Sequence, residues 1–367
     1  MDYPLISPRN GAELRPQGPH LLTDGETAWP TVDGIPYLRD REEVRVPAVA
    51  ALRRGDVRTA RRLLLADQDR FSPTPPPVRP ALDRVADEPG LSLRTAMELL
   101  NYGAVGDYFA YRWCSPTFTG GLYMLECTPP DRPVIEVACG IGHYLRALEM
   151  TGRSTAGIDI VWSKLWLARR FLAVRGPLVC ADIEVAAPLR TAEPHTVFCH
   201  DAFYFFERKE DALQNLRALS AGGSVAVGHV HTRASHHAAG FALSREEYAA
   251  LTDAPVYDDE RYILGWYGAD NAPRDPHPPI AVGWIEGESA HSSTDWCDPA
   301  RGVALRDNPL FGEGRLHWPS AGWAAEYAED SRGLQDYAVP RLLDRSLPAD
   351  RDTRFRHRYQ INLPELW

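Results

Sequence analysis

One stretch, Pro133 to Asp159, constrains the fold more than any other. Val134 to Ala138 is a short apolar, β-rich run, and it is broken by a turn containing Gly140 and Gly142. Beyond the turn, Tyr144, Leu145 and Leu148 recur at helical spacing. A second apolar run, Thr155 to Ile158, then ends on Asp159. Strand, tight turn, helix and strand form the repeating unit of an α/β sheet. Glycines in such a turn let the backbone lie close to a ligand, because no Cβ intrudes. A carboxylate stands on each side of the turn, Glu136 before it and Asp159 about twenty residues later.

The motif Glu136-Val-Ala-Cys-Gly140-Ile-Gly142 resembles the first motif of the class I S-adenosylmethionine (SAM) dependent methyltransferases. That motif is an acidic residue, three residues, then Gly-x-Gly. It differs from the G-x-G-x-x-G dinucleotide fingerprint. Ala138 stands two residues before Gly140 and Leu145 three after Gly142, so the third glycine is missing on either side. SAM has no pyrophosphate. Its cationic methionine end and ribose hydroxyls suit carboxylates, as Glu136 and Asp159 would supply.

Strands and helices alternate from Arg132 to about Thr232, the pattern of a parallel sheet covered on both faces. A helix from about Ser163 to Val174 precedes a third strand, Leu178–Cys180, which runs into Ala181-Asp182-Ile183. A fourth, Thr196–Cys199, runs into His200-Asp201. A helix at about Lys209–Leu219 and the turn Ala221-Gly-Gly223 lead to a fifth, Ser224–Val230. The resemblance extends over this block. It implies a Rossmann-like, seven-stranded methyltransferase sheet with an N-terminal helical and β-rich extension and a C-terminal cap. It also implies cofactor roles: Ala138, Gly140 and Gly142 in the loop, Asp159 and Ile160 at the ribose, Asp182 and Ile183 at the adenine, and His200 with Asp201 beside the methyl group. Upstream, Tyr111-Arg112-Trp113 is a candidate lid, with Tyr111 covering SAM and Arg112 pairing with its carboxylate; the same aromatics also suit a helical core.

The acceptor chemistry points to Gly228-His-Val-His231 and the following Thr-Arg-Ala-Ser-His-His237. His229 and His231 are two apart, so on a regular strand they share a face. Either could act as a general base, a task imidazole performs most often near neutral pH. Tyr204, within Phe203-Tyr-Phe-Phe206, could present its ring or phenol to the sulfonium. The histidine cluster could instead bind a metal or be structural. No carboxylate lies within it and no H-x-x-x-H helix is written, so no metal is expected.

The rest of the chain divides as residues 1–45, 46–130, 131–235 and 236–367. The first piece reads as a small β-rich unit or an irregular arm. Trp29-Pro-Thr-Val-Asp-Gly-Ile-Pro36 resembles a turn found beside the zinc knuckle of some methyltransferases. Ser7 and Asn10 hold the knuckle positions here, so that unit would be metal-free. The second piece carries two short amphipathic helices split at Gly55-Asp56, a Pro-rich linker from Ser72 to Pro80, and a further helical section from Leu93 to Ala110. In the last, Ser244 is an expected N-cap, Tyr262–Trp266 reads as a strand or lid, and Ile280–Ile285 as a strand. Arg351, Arg354, Arg356 and Arg358 line the tail.

A formal net charge of −10 argues against a broad phosphate-binding surface and so against nucleic acid. The six cysteines form no C-x-x-C pair, which leaves neither a zinc ribbon nor a redox dithiol. With no apolar run long enough to span a bilayer and no signal-like N-terminus, no membrane association and a cytoplasmic location are expected. The expected function is methyl transfer from SAM to an O, N or C atom of a small molecule, free or carrier-linked and of secondary-metabolite type, in a monomer or homodimer. Two other readings stay open: an enzyme that cleaves or cyclises SAM, and a non-catalytic partner subunit with the same fold.

Overall fold

The structure is a computed structural model. It describes residues 3–72, 74–113, 115–235, 239–266, 278–292, 294 and 296, with short stretches at 305–307, 311–312, 315–316, 321 and 362–364. The arginine-rich tail lies outside the described residues, as do His236 and His237.

The chain begins with a four-stranded antiparallel sheet of β1 (Arg15–Pro16), β2 (Leu21–Thr23), β3 (Ala28–Val32) and β4 (Ile35–Pro36). Asp33 and Gly34 join the last two with φ of +52° and +73°. Two left-handed residues in a two-residue loop match the twist of a hairpin, and Asp-Gly favours them. The Asp24 carboxylate organises the unit. It accepts from Ser7 Oγ at 2.5 Å, the Thr27 amide at 2.7 Å and Trp29 Nε1 at 3.3 Å. Burial works to raise its pKa, but these donors outweigh that and hold it down at about 2.

Six helices follow: α1 (Glu42–Arg53), α2 (Val57–Leu65), α3 (Arg79–Asp87), α4 (Leu93–Leu99), α5 (Ala104–Arg112) and α6 (Pro116–Glu126). The first two part at Gly55, and the Asp56 side chain caps α2 by accepting from the Thr59 amide. The helical section read from Leu93 to Ala110 consists of two helices. Asn101 and Gly103, both at positive φ, break it.

The alternating block then runs β5 (Val134–Val137), α7 (His143–Met150), β6 (Thr155–Asp159), α8 (Trp162–Phe171), β7 (Leu178–Cys180), β8 (Thr196–His200), α9 (Lys209–Ser220) and β9 (Ser224–His231). After it come α10 (Arg245–Ala249), β10 (Tyr257–Asp258), α11 (Glu260–Trp266) and β11 (Ala281–Glu286). Seven of these strands form one sheet in the order β10-β11-β9-β8-β5-β6-β7. Its five central and far strands are parallel, while β11 pairs antiparallel with β9 and β10 antiparallel with β11. Apolar side chains fill both faces, with Leu145, Leu148 and Leu165 on one and Ile135, Val197 and Leu216 on the other. This is the expected α/β sheet.

One feature departs from the sequence reading. Tyr262–Trp266 is helical, as part of α11. The run is apolar at nearly every position, so periodicity cannot separate strand from helix. Packing decides it: a Cβ at Gly265 would stand 2.2 Å from the Tyr123 ring of α6, so the two helices approach backbone to side chain there. Of the two readings of the first 45 residues, the described part matches the small β-rich unit. The Leu38 amide donates to the Cys180 carbonyl at 2.7 Å, and Trp162 Nε1 donates to the Ile35 carbonyl at 3.2 Å. The unit thereby covers β7, the edge of the main sheet, which would otherwise offer unpaired backbone groups.

Candidate active site

The carboxyl ends of parallel strands are where open α/β sheets bind ligands. Here a cavity of about 920 Å³ opens over the ends of β5, β6, β7 and β8. Its floor is the Gly-rich turn. Ala138, Gly140 and Gly142 have φ of +58°, +55° and +84°. Gly142 is the tighter of the two glycines, since a Cβ there would lie 3.1 Å from Val174 and 3.2 Å from Ala168 and those side chains would have to give way. Asp159 ties this turn to the next strand. One carboxylate oxygen accepts from the Gly140 amide and the other from the Val161 amide, each at 2.8 Å. Glu136 is buried under the start of α7 and accepts from the Leu145 amide at 3.1 Å. Burial pushes its pKa well above the usual carboxylate range, against the opposing pull of that amide and of Arg112.

Of the residues expected to hold the cofactor, Glu136, Ala138, Gly140, Asp159, Ile160, Asp182, Ile183, His200 and Arg112 all line the cavity. Asp182 folds its own turn by accepting from the Glu184 amide at 2.9 Å. Gly142 shapes the turn behind the wall. The Tyr111 side chain lies outside what the structure describes. The neighbouring Trp113 of the expected lid is fully buried.

Arg112 is buried and held in place by protein groups. Its guanidinium pairs with Asp201 at 3.0 Å and meets His200 Nδ1 at 2.9 Å. Since a guanidinium only donates, His200 Nδ1 accepts and the ring proton sits on Nε2. Burial, then Arg112 and His229, depress the His200 pKa far below its ordinary value, so the ring is neutral. Asp201 is the hub of this end. Tyr108 donates to it at 2.5 Å and Tyr204 at 3.1 Å. Burial would raise its pKa, but Arg112, His229, His231 and the Tyr108 hydroxyl hold it well below the carboxylate range. Tyr204 lines the cavity. His229 and His231 do not; they stand one layer behind, against Asp201. His229 Nδ1 meets Asp259 at 2.7 Å, and Asp259 also accepts the His229 amide at 3.0 Å.

Tyr108, Asp69 and Lys164 are cavity residues not assigned a cofactor role from the sequence, whereas Asp201, expected beside the methyl group with His200, does line the cavity. Lys164 is one of only two lysines in the chain. Burial would lower its pKa, yet Asp159 and Asp69 outweigh that and keep it charged at the wall. Its rarity was the signal available, and composition bias alone explains that rarity equally well. Asp69 and Tyr108 come from the helical layer, which no sheet motif places at the strand ends.

An open, mostly parallel sheet with a Gly-rich turn, acidic strand ends and a large cavity over them is a Rossmann-like arrangement of the methyltransferase kind. Residues 135–227 match the family model described as a methyltransferase domain. Residues 135–227 are accordingly a methyltransferase domain, consistent with a class I SAM-dependent enzyme that takes SAM as cofactor. No curated protein matches it by sequence. Among solved structures, it is similar to the plantazolicin methyltransferase BpumL in complex with a triazolic desmethylPZN analog and SAH, at 16% identity over 55% of this chain and 93% of that one, TM-score 0.35. It is also similar to a possible histamine N-methyltransferase of Thermotoga maritima, at 16% identity over 50% and 94%, TM-score 0.35. A third is Haemonchus contortus phosphoethanolamine N-methyltransferase 2 in complex with SAM, at 17% identity over 53% and 59%, TM-score 0.34. Likenesses this distant add nothing about the acceptor. Among the described residues no helix is long and apolar enough to cross a membrane.

Proposed function

We propose that the protein methylates an O, N or C atom of a small molecule bound in the same cavity as SAM. The observation that carries this is the cavity itself. At about 920 Å³ it is near the top of the range for small-molecule sites, and its two ends differ chemically. Asp159 and Asp182 stand toward one end, where carboxylates suit ribose hydroxyls and an adenine amino group. Asp201, Tyr108 and Tyr204 stand toward the other. Phe71, Phe205 and Phe206 add apolar wall, and Arg70 lies 5.0 Å over the Phe71 ring. That lining suits a largely apolar or aromatic acceptor of secondary-metabolite type.

SAM supplies an electrophilic methyl on sulfur. The protein's own contribution is positioning and exclusion of water. Arg112, locked between Asp201 and His200, keeps the acceptor end rigid and charged. Tyr204 is the group best placed to touch the acceptor. His229 and His231 act through Asp201 as positioning residues.

Titration calorimetry with SAM tests the reading. The wild-type protein should bind one equivalent, and Asp159→Ala should weaken binding at least tenfold. No binding by the wild type, or unchanged affinity in the variant, removes this assignment of the site.

A further inference from the structure

We propose that Asp201, His229 and His231 form a binding site for one divalent transition-metal ion. The local sequence around the histidines offers no carboxylate; the fold brings one from the neighbouring strand. β8 and β9 are adjacent and parallel, with His200 opposite Gly228 in register. The turn after β8 therefore sets Asp201 beside His229 and His231. Candidate ligand atoms of the three lie within 4.8 Å of one another. Ligands about 2.1 Å from a common ion in tetrahedral geometry stand about 3.4 Å apart, so side-chain adjustments of about an ångström or a little more close the site.

Three further observations fit a metal. First, His231 Nε2 is 3.9 Å from Asp201 Oδ1. That is too long for a hydrogen bond and suits two neighbouring ligands of one ion. Second, both rings are oriented from outside. His229 Nδ1 faces Asp259 at 2.7 Å and His231 Nδ1 faces Ser235 Oγ at 2.9 Å. A ligating imidazole is commonly held by such an outer partner, which directs its other nitrogen to the ion. Third, a carboxylate has about four acceptor positions. Tyr108 and Arg112 occupy Oδ2 and Tyr204 one position on Oδ1, so the oxygen facing His231 keeps a place for an ion.

The backbone is shaped to this end. His229 has φ of +46°, left-handed for a residue with a Cβ. It lies where the register of β9 against β11 shifts, so that two β9 residues oppose one of β11. Such bulges re-aim side chains.

Two imidazoles and one carboxylate favour Zn²⁺, Co²⁺, Fe²⁺ or Mn²⁺ over Mg²⁺ and Ca²⁺, which prefer all-oxygen shells. The site stands behind Asp201 and Tyr204. Its part in handling the acceptor rests on the function proposed above; the site itself does not.

The test is a Co²⁺ titration of chelator-treated protein followed by visible absorption, with Zn²⁺ calorimetry in parallel. One equivalent should bind and produce d–d bands. His229→Gln and His231→Gln should each weaken binding at least a hundredfold. Asp259→Asn keeps all three ligands and should weaken it about tenfold to a hundredfold. Circular dichroism establishes that each variant is folded, and Asp259→Asn carries the comparison if a ligand variant is not. No saturable binding by the wild type, equal binding by all the variants, or ready displacement of Co²⁺ by Mg²⁺ overturns the site. SAM calorimetry on the same metal-free protein reports separately, so the loss of one proposal is distinguishable from the loss of the other.

Discussion

His143 and His200 are buried without charge, and this makes stability depend on pH. Burial drives the His143 pKa down to about 3, against the pull of the Phe109 carbonyl. His200 is driven down by burial and by Arg112. Below about 6.5 the unfolded chain binds protons that both native rings refuse, so their contribution to stability is present above 6.5 and is lost as pH falls toward 3. Glu136 works the other way. Its folded pKa is raised, so its contribution is present at low pH and is lost as pH rises through that raised value. Two histidines oppose one carboxyl, so stability falls as pH drops below about 6.5, by about 1.4 kcal/mol per pH unit for each uncompensated proton. Urea unfolding of the wild type at pH 6 and pH 5 should show that loss, and His143→Gln should remove most of it. An identical slope in the two proteins would show that His143 is not the titrating group. Residue identity alone places the acidic strand ends, since Glu136, Asp159 and Asp182 each follow or sit in a recognisable strand. It does not reveal which side chains share the cavity with them. Asp201 was visible as a turn residue, but its role as a hub depends on Tyr108 and Arg112, which lie about ninety residues earlier.

At the scale of elements, short-range pattern marks the strands well because apolar runs between turn residues leave few alternatives. Leu178–Cys180 falls where the sequence puts it, and β5, β6, β8 and β9 differ by a residue at one end. The turn from β5 into α7 is the most demanding junction. At Gly142, left-handed φ and the nearness of Val174 and Ala168 act together. Gly142→Ala should therefore cost about 2 kcal/mol, more than the conformational term alone. A urea midpoint equal to the wild type would show that α8 yields to the methyl group. Element identity fails where pattern is silent. The apolar segment at Tyr262–Trp266 becomes helical because α6 presents a ring against Gly265. In the same way, the bulge at His229 arises from pairing with β11, more than fifty residues later.

On the scale of the whole molecule, the N-terminal sheet is a structural part of the catalytic domain's edge. It donates Leu38 to β7, accepts Trp162 at Ile35 and meets Trp166 Nε1 at Asp33 over 2.9 Å. Removing residues 1–40 should leave β7 uncovered and bare the apolar face that Tyr37 and Ile35 now bury. The truncated chain should be recovered as aggregates on size exclusion. A monodisperse peak with native circular dichroism would show that the sheet is dispensable.

The sequence by itself determined the class of fold and one wall of the cavity at the strand ends. Both depend on local matters: alternating apolar runs, glycines where φ turns positive, and a carboxylate at each strand end. Tertiary structure decided everything that needs groups from distant segments to meet. It turned Arg112 toward Asp201, set His229 and His231 behind the cavity wall, and supplied the carboxylate that the histidine cluster lacks in sequence. The physical reason is that charge and coordination act over a few ångströms of space, and nothing in local spacing encodes which strands will lie side by side.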